Sequence, residues 1–167
     1  HDNYLVQIIL MRRPVRHAER GLSMKIDGSC YCGRVTFVAE IDPAKVTICH
    51  CTDCQTLSGS AFRTLAFARE GTFALLSGIP KIYVRTGEGG SQRLLYFCAD
   101  CGTPICSSAV ADDPKVYAIR VGTIRQCAEL RPGSQIWFRS AQPWVGEIAS
   151  IPAFQTDAPS DAESEGG

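Results

Sequence analysis

The chain lacks the features that would place it in several large classes. Its 167 residues contain no apolar run near the roughly 18 residues of a membrane-spanning helix, so no span is expected. It has no excess of either charge: 17 Lys and Arg face 17 Asp and Glu. That balance argues against a strongly basic nucleic-acid binder. There is no phosphate-binding loop, and Gly87-Glu-Gly-Gly90 reads as a hairpin turn. There is no internal repeat beyond paired cysteines. No secretory leader is recognised, because Leu5-Val-Gln-Ile-Ile-Leu10 has neither a charged segment before it nor a small-residue cleavage site after it. What is abundant is cysteine. The nine thiols are an odd number, and a closed disulfide framework uses them in pairs. A reducing, cytoplasmic setting is therefore expected, with close thiols serving as metal ligands or redox groups. The composition, 45% hydrophobic and 20% charged, is that of one globular domain with its own core.

The cysteines are clustered: Cys30-Tyr-Cys32, Cys49-His-Cys51-Thr-Asp-Cys54 and Cys98-Ala-Asp-Cys101. A tetrahedral zinc needs four ligands, and short Cys-x-Cys and Cys-x-x-Cys turns bring two sulfurs to one point. Gly33 and Gly102 follow the outer pairs, and glycine there lets the backbone turn tightly. Cys30, Cys32, Cys98 and Cys101 are thus expected to close one structural site, whose metal contributes to folding by joining distant parts of the chain. The inner trio, Cys49, Cys51 and Cys54, lacks an obvious fourth ligand. Three ligands with one open position is the arrangement of catalytic zinc. The alternatives are that His50, Cys106 or Cys127 completes a second structural site, or that the thiols form a redox set. Core packing is the default for Cys106 and Cys127.

Residues 1–23, with Arg12, Arg13, Arg16 and Arg20, carry no motif and read as a detachable extension, Met24 being a candidate natural start. Residues 157–167 read as an acidic, disordered tail. The domain between, 24–156, shows alternating, β-branched runs: Val35–Ile41, Val46–Ile48, Phe62–Phe67, Phe73–Leu76, Lys81–Val84, Arg93–Phe97 and Lys115–Val121. Asp42-Pro43, Ser77-Gly-Ile-Pro80 and Asp112-Asp-Pro114 punctuate them. The expectation is an all-β domain of short, mainly antiparallel strands with zinc-supported loops and little helix. Cys51 to Leu57 lacks Gly and Pro and is expected to make one or two helical turns, placing Cys51 and Cys54 on one face.

Gly28-Ser-Cys30-Tyr-Cys32-Gly33, Cys49-His-Cys51-Thr-Asp-Cys54-Gln55, Ser58-Gly59 and Phe97-Cys98-Ala-Asp-Cys101-Gly102 resemble the glutathione-dependent formaldehyde-activating enzyme family, which includes centromere protein V. The resemblance runs from residue 26 to about 154, where Trp144, Pro152 and Phe154 look like its C-terminal signature. It implies a β-tent fold and two zinc ions, one structural on the outer four cysteines and one catalytic on the inner three. The position after Cys54, often arginine in the family, is Gln55 here.

The reading that follows is thiol–aldehyde chemistry, with glutathione and formaldehyde or another small aldehyde as partners. Its product is an S-hydroxyalkyl adduct such as S-(hydroxymethyl)glutathione, and in reverse it is a carbon–sulfur lyase reaction. His50 is a candidate proton donor, since a histidine titrates near neutrality; a packing histidine is the alternative. Asp53 is read as orienting a ligand or water, or as a solvated turn residue or helix cap. Gln55, Ser58 and Ser60 line the site or serve turn chemistry. Tyr31, Phe62, Phe97, Trp137 and Trp144 wall a pocket or belong to the core. Arg63, Arg93, Arg120, Arg125 and Arg139 bind substrate carboxylates or are strand-face charges. Neither nucleic acid nor membrane is expected as a partner. The competing class is a non-catalytic, zinc-supported binding module for a protein partner, because a fold does not decide a function. Seven thiolates on two zinc ions also make the loaded chain modestly acidic.

Overall fold

A computed structural model of the chain describes residues 22–87, 90–110 and 115–157. The expected N-terminal extension and acidic tail lie outside these residues, except for Leu22, Ser23 and Asp157 at their inner ends. So does the Asp112-Asp-Pro114 turn. Among the described residues there are ten strands: β1 (Met24–Ser29), β2 (Thr36–Ile41), β3 (Thr47–Cys49), β4 (Arg63–Phe67), β5 (Ala74–Ser77), β6 (Lys81–Thr86), β7 (Gln92–Phe97), β8 (Pro104–Ala109), β9 (Ala118–Arg120) and β10 (Ser134–Ile136). One short α-helix, α1 (Thr52–Ser58), joins β3 to β4. The chain is all-β as expected. Among the described residues, no helix is long and apolar enough to cross a membrane.

The strands form two sheets. One has the order β1-β2-β5, the other β10-β3-β4-β9-β8-β7-β6. Every pairing is antiparallel except β10 with β3. The alternation in β2 is the reason for the core. Phe37, Ala39 and Ile41 point inward, beside Ile26 of β1, and join Ala66, Ile105 and Ile119 of the larger sheet, with Val121 from the 3-10 turn after β9, in one core. Phe37, Ile41, Ile105 and Ile119 are fully buried; each such side chain contributes about 1.5–3 kcal/mol relative to exposure.

Three strands escape sequence reading. β1 carries Asp27 and Gly28, β8 starts at Pro104 and contains Ser107 and Ser108, and β10 has only three residues. Composition disfavours strand in each, and pairing with neighbours overrides it. Ser108 shows how: it is fully buried, yet its hydroxyl lies 3.3 Å from the Tyr96 hydroxyl.

The larger sheet has two working faces. In β4 the side chains alternate, so Ala66 enters the core while Arg63, Leu65 and Phe67 share the opposite face. Cys49 of β3 stands opposite Arg63, and Arg120 of β9 stands opposite Leu65. The register therefore puts two arginines and a thiol on the face turned away from the main core.

Candidate metal centres and the adjoining cavities

Two thiol groups are assembled. The sulfurs of Cys30, Cys32, Cys98 and Cys101 lie within 4.8 Å of one another, and so do those of Cys49, Cys51 and Cys54. All nine cysteines are free. Sulfur separations of 3.5 Å for Cys30–Cys32, 3.8 Å for Cys32–Cys98 and 3.5 Å for Cys49–Cys51 far exceed a disulfide bond of about 2.05 Å. They approach the roughly 3.8 Å edge of a tetrahedron of thiolates held about 2.3 Å from a metal. Both groups therefore fit a metal ion in donor chemistry and spacing.

The outer group is built from two matching turns. Gly33 N–H donates to the Cys30 carbonyl and Gly102 N–H to the Cys98 carbonyl, both at 3.0 Å. Gly33 and Gly102 have φ of 76° and 72°, the left-handed region in which a side chain is strained. Each turn thus needs glycine immediately after its second cysteine. Cys30 follows β1 and Cys98 follows β7, so the group ties the small sheet to the β7–β8 hairpin of the large one. Thr103 finishes the arrangement. Its hydroxyl accepts from Tyr31 N–H at 3.1 Å and lies 3.1 Å from Cys101 Sγ, a contact that pulls the Cys101 thiol down to about 5.

The inner group sits where β3 meets α1. Cys51 is the N-cap of the helix, and its sulfur accepts from Cys54 N–H at 3.4 Å. The first turn then brings Cys54 beside it, as the absence of Gly and Pro predicted. Gly59 closes the helix in the left-handed conformation. The thiols share protons unequally. The Cys54 hydrogen bond draws Cys49 down to about 5, and the same contact pushes Cys54 up. Among the described residues no fourth side chain joins the three. Cys106 is buried in the main core, its thiol pushed up to about 12 by desolvation, and Cys127 is exposed on a 3-10 turn.

His50 is placed unambiguously. It is fully buried, its Nε2 lies 2.8 Å from Gln135 Oε1, and its ring meets Phe62 and Phe138 edge-on at 5.6 and 5.4 Å. The ring is engaged between β10 and the loops rather than opened to solvent. Asp53 forms an ion pair with Arg85 of β6, and the capping role falls to Cys51. Gln55 donates to the carbonyls of His50 and Ser140, both at 2.7 Å, and accepts from Gln142 at 2.7 Å. It staples α1 to the C-terminal segment. Ser58 bonds back to the Cys54 carbonyl at 2.6 Å. Arg85, Gln135, Ser140 and Thr103 were not singled out by sequence. Only Thr103, next to an outer glycine, stood where a motif could have drawn notice.

Two cavities lie near the inner thiols: the first reaches Cys51, and the second reaches Arg63, the cross-strand neighbour of Cys49. One, of about 430 Å³, is polar and is walled by Cys51, Asp53, Arg85, Trp137, Arg139 and Ser140 among others. Arg139 stacks on the Trp137 ring, 4.8 Å from its centroid. The other, of about 280 Å³, is largely apolar and contains Phe97 and the two buried arginines, Arg63 and Arg120. Of the remaining expected wall residues, Tyr31 is 94% exposed beside the outer thiols, and Trp144 is half exposed. Arg125 pairs with Asp27 at 2.7 Å on the surface.

An all-β domain carrying one closed and one incomplete thiol group, each suited to a metal ion, is the class these features define. The sequence profile of the glutathione-dependent formaldehyde-activating enzymes matches residues 25–140, most of the chain. The chain belongs to that family. The match ends before Trp144, Pro152 and Phe154. Among solved structures, a crystal structure of a Rhodobacter sphaeroides protein is similar at a TM-score of 0.51 and 19% identity, covering 65% of this chain and 98% of the other. That likeness concerns the fold. No curated protein matches the chain.

Proposed function

We propose that the chain joins a small thiol to a small aldehyde, or cleaves the adduct, with two zinc ions bound. Cys30, Cys32, Cys98 and Cys101 hold the structural ion, and Cys49, Cys51 and Cys54 hold the ion at the reaction site. The observation that carries this reading is the inner trio without a fourth side-chain ligand among the described residues, beside a polar cavity. A zinc ion on such a trio supplies an electron-withdrawing position that favours a thiol in its nucleophilic, thiolate form. Glutathione is the thiol the family suggests, and formaldehyde or a related small aldehyde its partner.

The chemistry balances without a further reagent. A sulfur–carbon bond forms, the carbonyl π pair moves to oxygen, and the proton lost by the thiol ends on that oxygen. The reverse reaction is a carbon–sulfur lyase step. The chain's own residues orient these partners. Arg139 gives the polar cavity positive charge suited to a carboxylate of a peptidic thiol, while Arg85 there is paired with Asp53. Thr52 and Ser140 add polar lining. His50, sealed and bonded to Gln135, acts by holding the strand-to-helix bend that aims Cys49 and Cys51. The unit assigned to this activity is residues 24–156, and its proposed setting is the cytoplasm.

Cobalt substitution tests the reading. Glutathione added to the two-cobalt protein is expected to alter the visible spectrum of the inner site alone. A spectrum unmoved by millimolar glutathione sinks the glutathione assignment. Two saturated, unresponsive sites would return the chain to the class of zinc-supported binding modules.

A further inference from the structure

The smaller cavity has a composition the proposed reaction does not call for. Its walls are apolar, with Leu57, Tyr83, Leu95 and Phe97, yet it also holds Arg63 and Arg120. These arginines are only 7% and 8% exposed. Register explains their meeting. Arg63 lies two residues before Leu65 on the same face of β4, and Arg120 faces Leu65 from β9, which makes the two arginines diagonal neighbours.

Two buried guanidinium groups side by side repel each other and lose hydration, so they need an anion. Among the described residues neither enters an ion pair. Arg63 Nη2 and Arg120 Nε are buried without a hydrogen-bond partner. Arg120 Nη1 makes a long 3.5 Å bond to the Ala118 carbonyl. Burial pushes Arg120 down to about 10, the neighbouring Arg63 adding to the effect. The negative charge in reach is that of thiols: Cys54 acts on both arginines, Cys49 and Cys51 on Arg63, and Cys106, a protonated thiol in the cavity wall, on Arg120. Three thiolates around a divalent ion carry one net negative charge, which leaves one guanidinium unbalanced.

We propose that this cavity takes the carboxylate of the aldehyde partner, so that the preferred aldehyde is an oxo acid with an apolar body rather than formaldehyde alone. The proposal rests on the thiol–aldehyde reading for the identity of the ligand. The arginine pair grips the carboxylate through its N–H forks, for which guanidinium geometry is suited. The apolar walls take the hydrocarbon body. Cys49, directly across the strand pair from Arg63, then lies on the same sheet face as the anchored acid. A low-dielectric wall strengthens the charge pairing and disfavours a neutral ligand of equal shape.

The test is binding of 4-formylbenzoate against its neutral isostere 4-formylbenzamide, by calorimetry on the zinc-loaded chain without thiol. The carboxylate is expected to bind about tenfold to a hundredfold more tightly, the range for a hydrogen-bonded charge. Arg120→Gln should erase that preference, and Arg120→Lys should restore part of it. Arg125→Gln, at the surface pair with Asp27, should leave it unchanged. Equal binding of the two compounds by the unaltered chain overturns the proposal, and this comparison stands even where a variant fails to fold. The two readings fail separately. A cobalt site that responds to glutathione, with no carboxylate preference, removes the oxo-acid site alone. A cobalt site silent to glutathione, with an Arg120-dependent carboxylate preference, removes the glutathione assignment and leaves the anion site standing.

Discussion

Cys30→Ser and Cys51→Ser each remove one sulfur, but from sites with different mechanical roles. The outer thiols close a loop of 65 residues between Cys32 and Cys98 and join two sheets. On the chain-entropy relation for cross-links, a loop of that length restricts the unfolded chain by about 4 kcal/mol. The inner thiols span six residues, Cys49 to Cys54. The same relation gives about 2 kcal/mol there, and β3 and α1 already hold those residues together. For a chain of this size, each kcal/mol shifts the melting temperature by about 2–4 °C. Cys30→Ser is thus expected to lower it by on the order of 10 °C, and Cys51→Ser by half of that or less. The assay is thermal unfolding by circular dichroism, with bound zinc counted in each variant before melting. Cys51→Ser should also lose adduct formation while keeping the fold. Equal losses of melting temperature would refute the division into one closing and one reacting site, and would argue for two structural metals.

Two further outcomes follow from named contacts. Cys106, pushed by burial from the usual 9.0 up to about 12, stays protonated in the folded chain after the unfolded chain has lost its proton. Its stabilising effect is complete below about pH 9 and is lost as pH rises toward 12. The urea midpoint should therefore fall between neutral pH and about pH 10.5, and Cys106→Ala should flatten that fall; an identical slope in the variant speaks against it. Gln55→Ala removes three hydrogen bonds, two of which join α1 to Ser140 and Gln142 of the C-terminal segment, at a cost of about 1–3 kcal/mol. Amide exchange at residues 138–142 should quicken, and unchanged exchange there would mean the staple does not hold the segment.

The two thiol groups were legible because short turns carry their geometry in their spacing. Glycine after the second cysteine of each outer pair is a local requirement, readable without a fold. The helix at Cys51 to Leu57 was legible for the same reason, since nothing in those residues interrupts it. The strands with β-branched runs were legible too. β8 and β10 were not, because their serines and short length acquire strand character only from their partners. The surroundings of His50 were illegible as well. Gln135 and Phe138, which hold it, are more than eighty residues away in the chain, and only the parallel pairing of β10 with β3 brings them together. Arg63 and Arg120 appeared in the sequence as scattered basic residues. Their meeting depends on the β4–β9 register, which no single segment encodes.

The alternation in β4 has a consequence for how such a chain can be altered. Positions 63, 65 and 67 form one set, in which Arg63 lines the smaller cavity while Leu65, flanked by Phe67, packs with Cys49 and Ala118, and Ala66 enters the main core. On the proposed carboxylate site, substitution at 63 changes which molecule is accepted while the main core that Ala66 enters stays in place. A library confined to 63 and 120 would sample new specificities while leaving Leu65 and the main core unaltered. Inserting one residue into β4 would exchange the two sets and damage recognition and folding together.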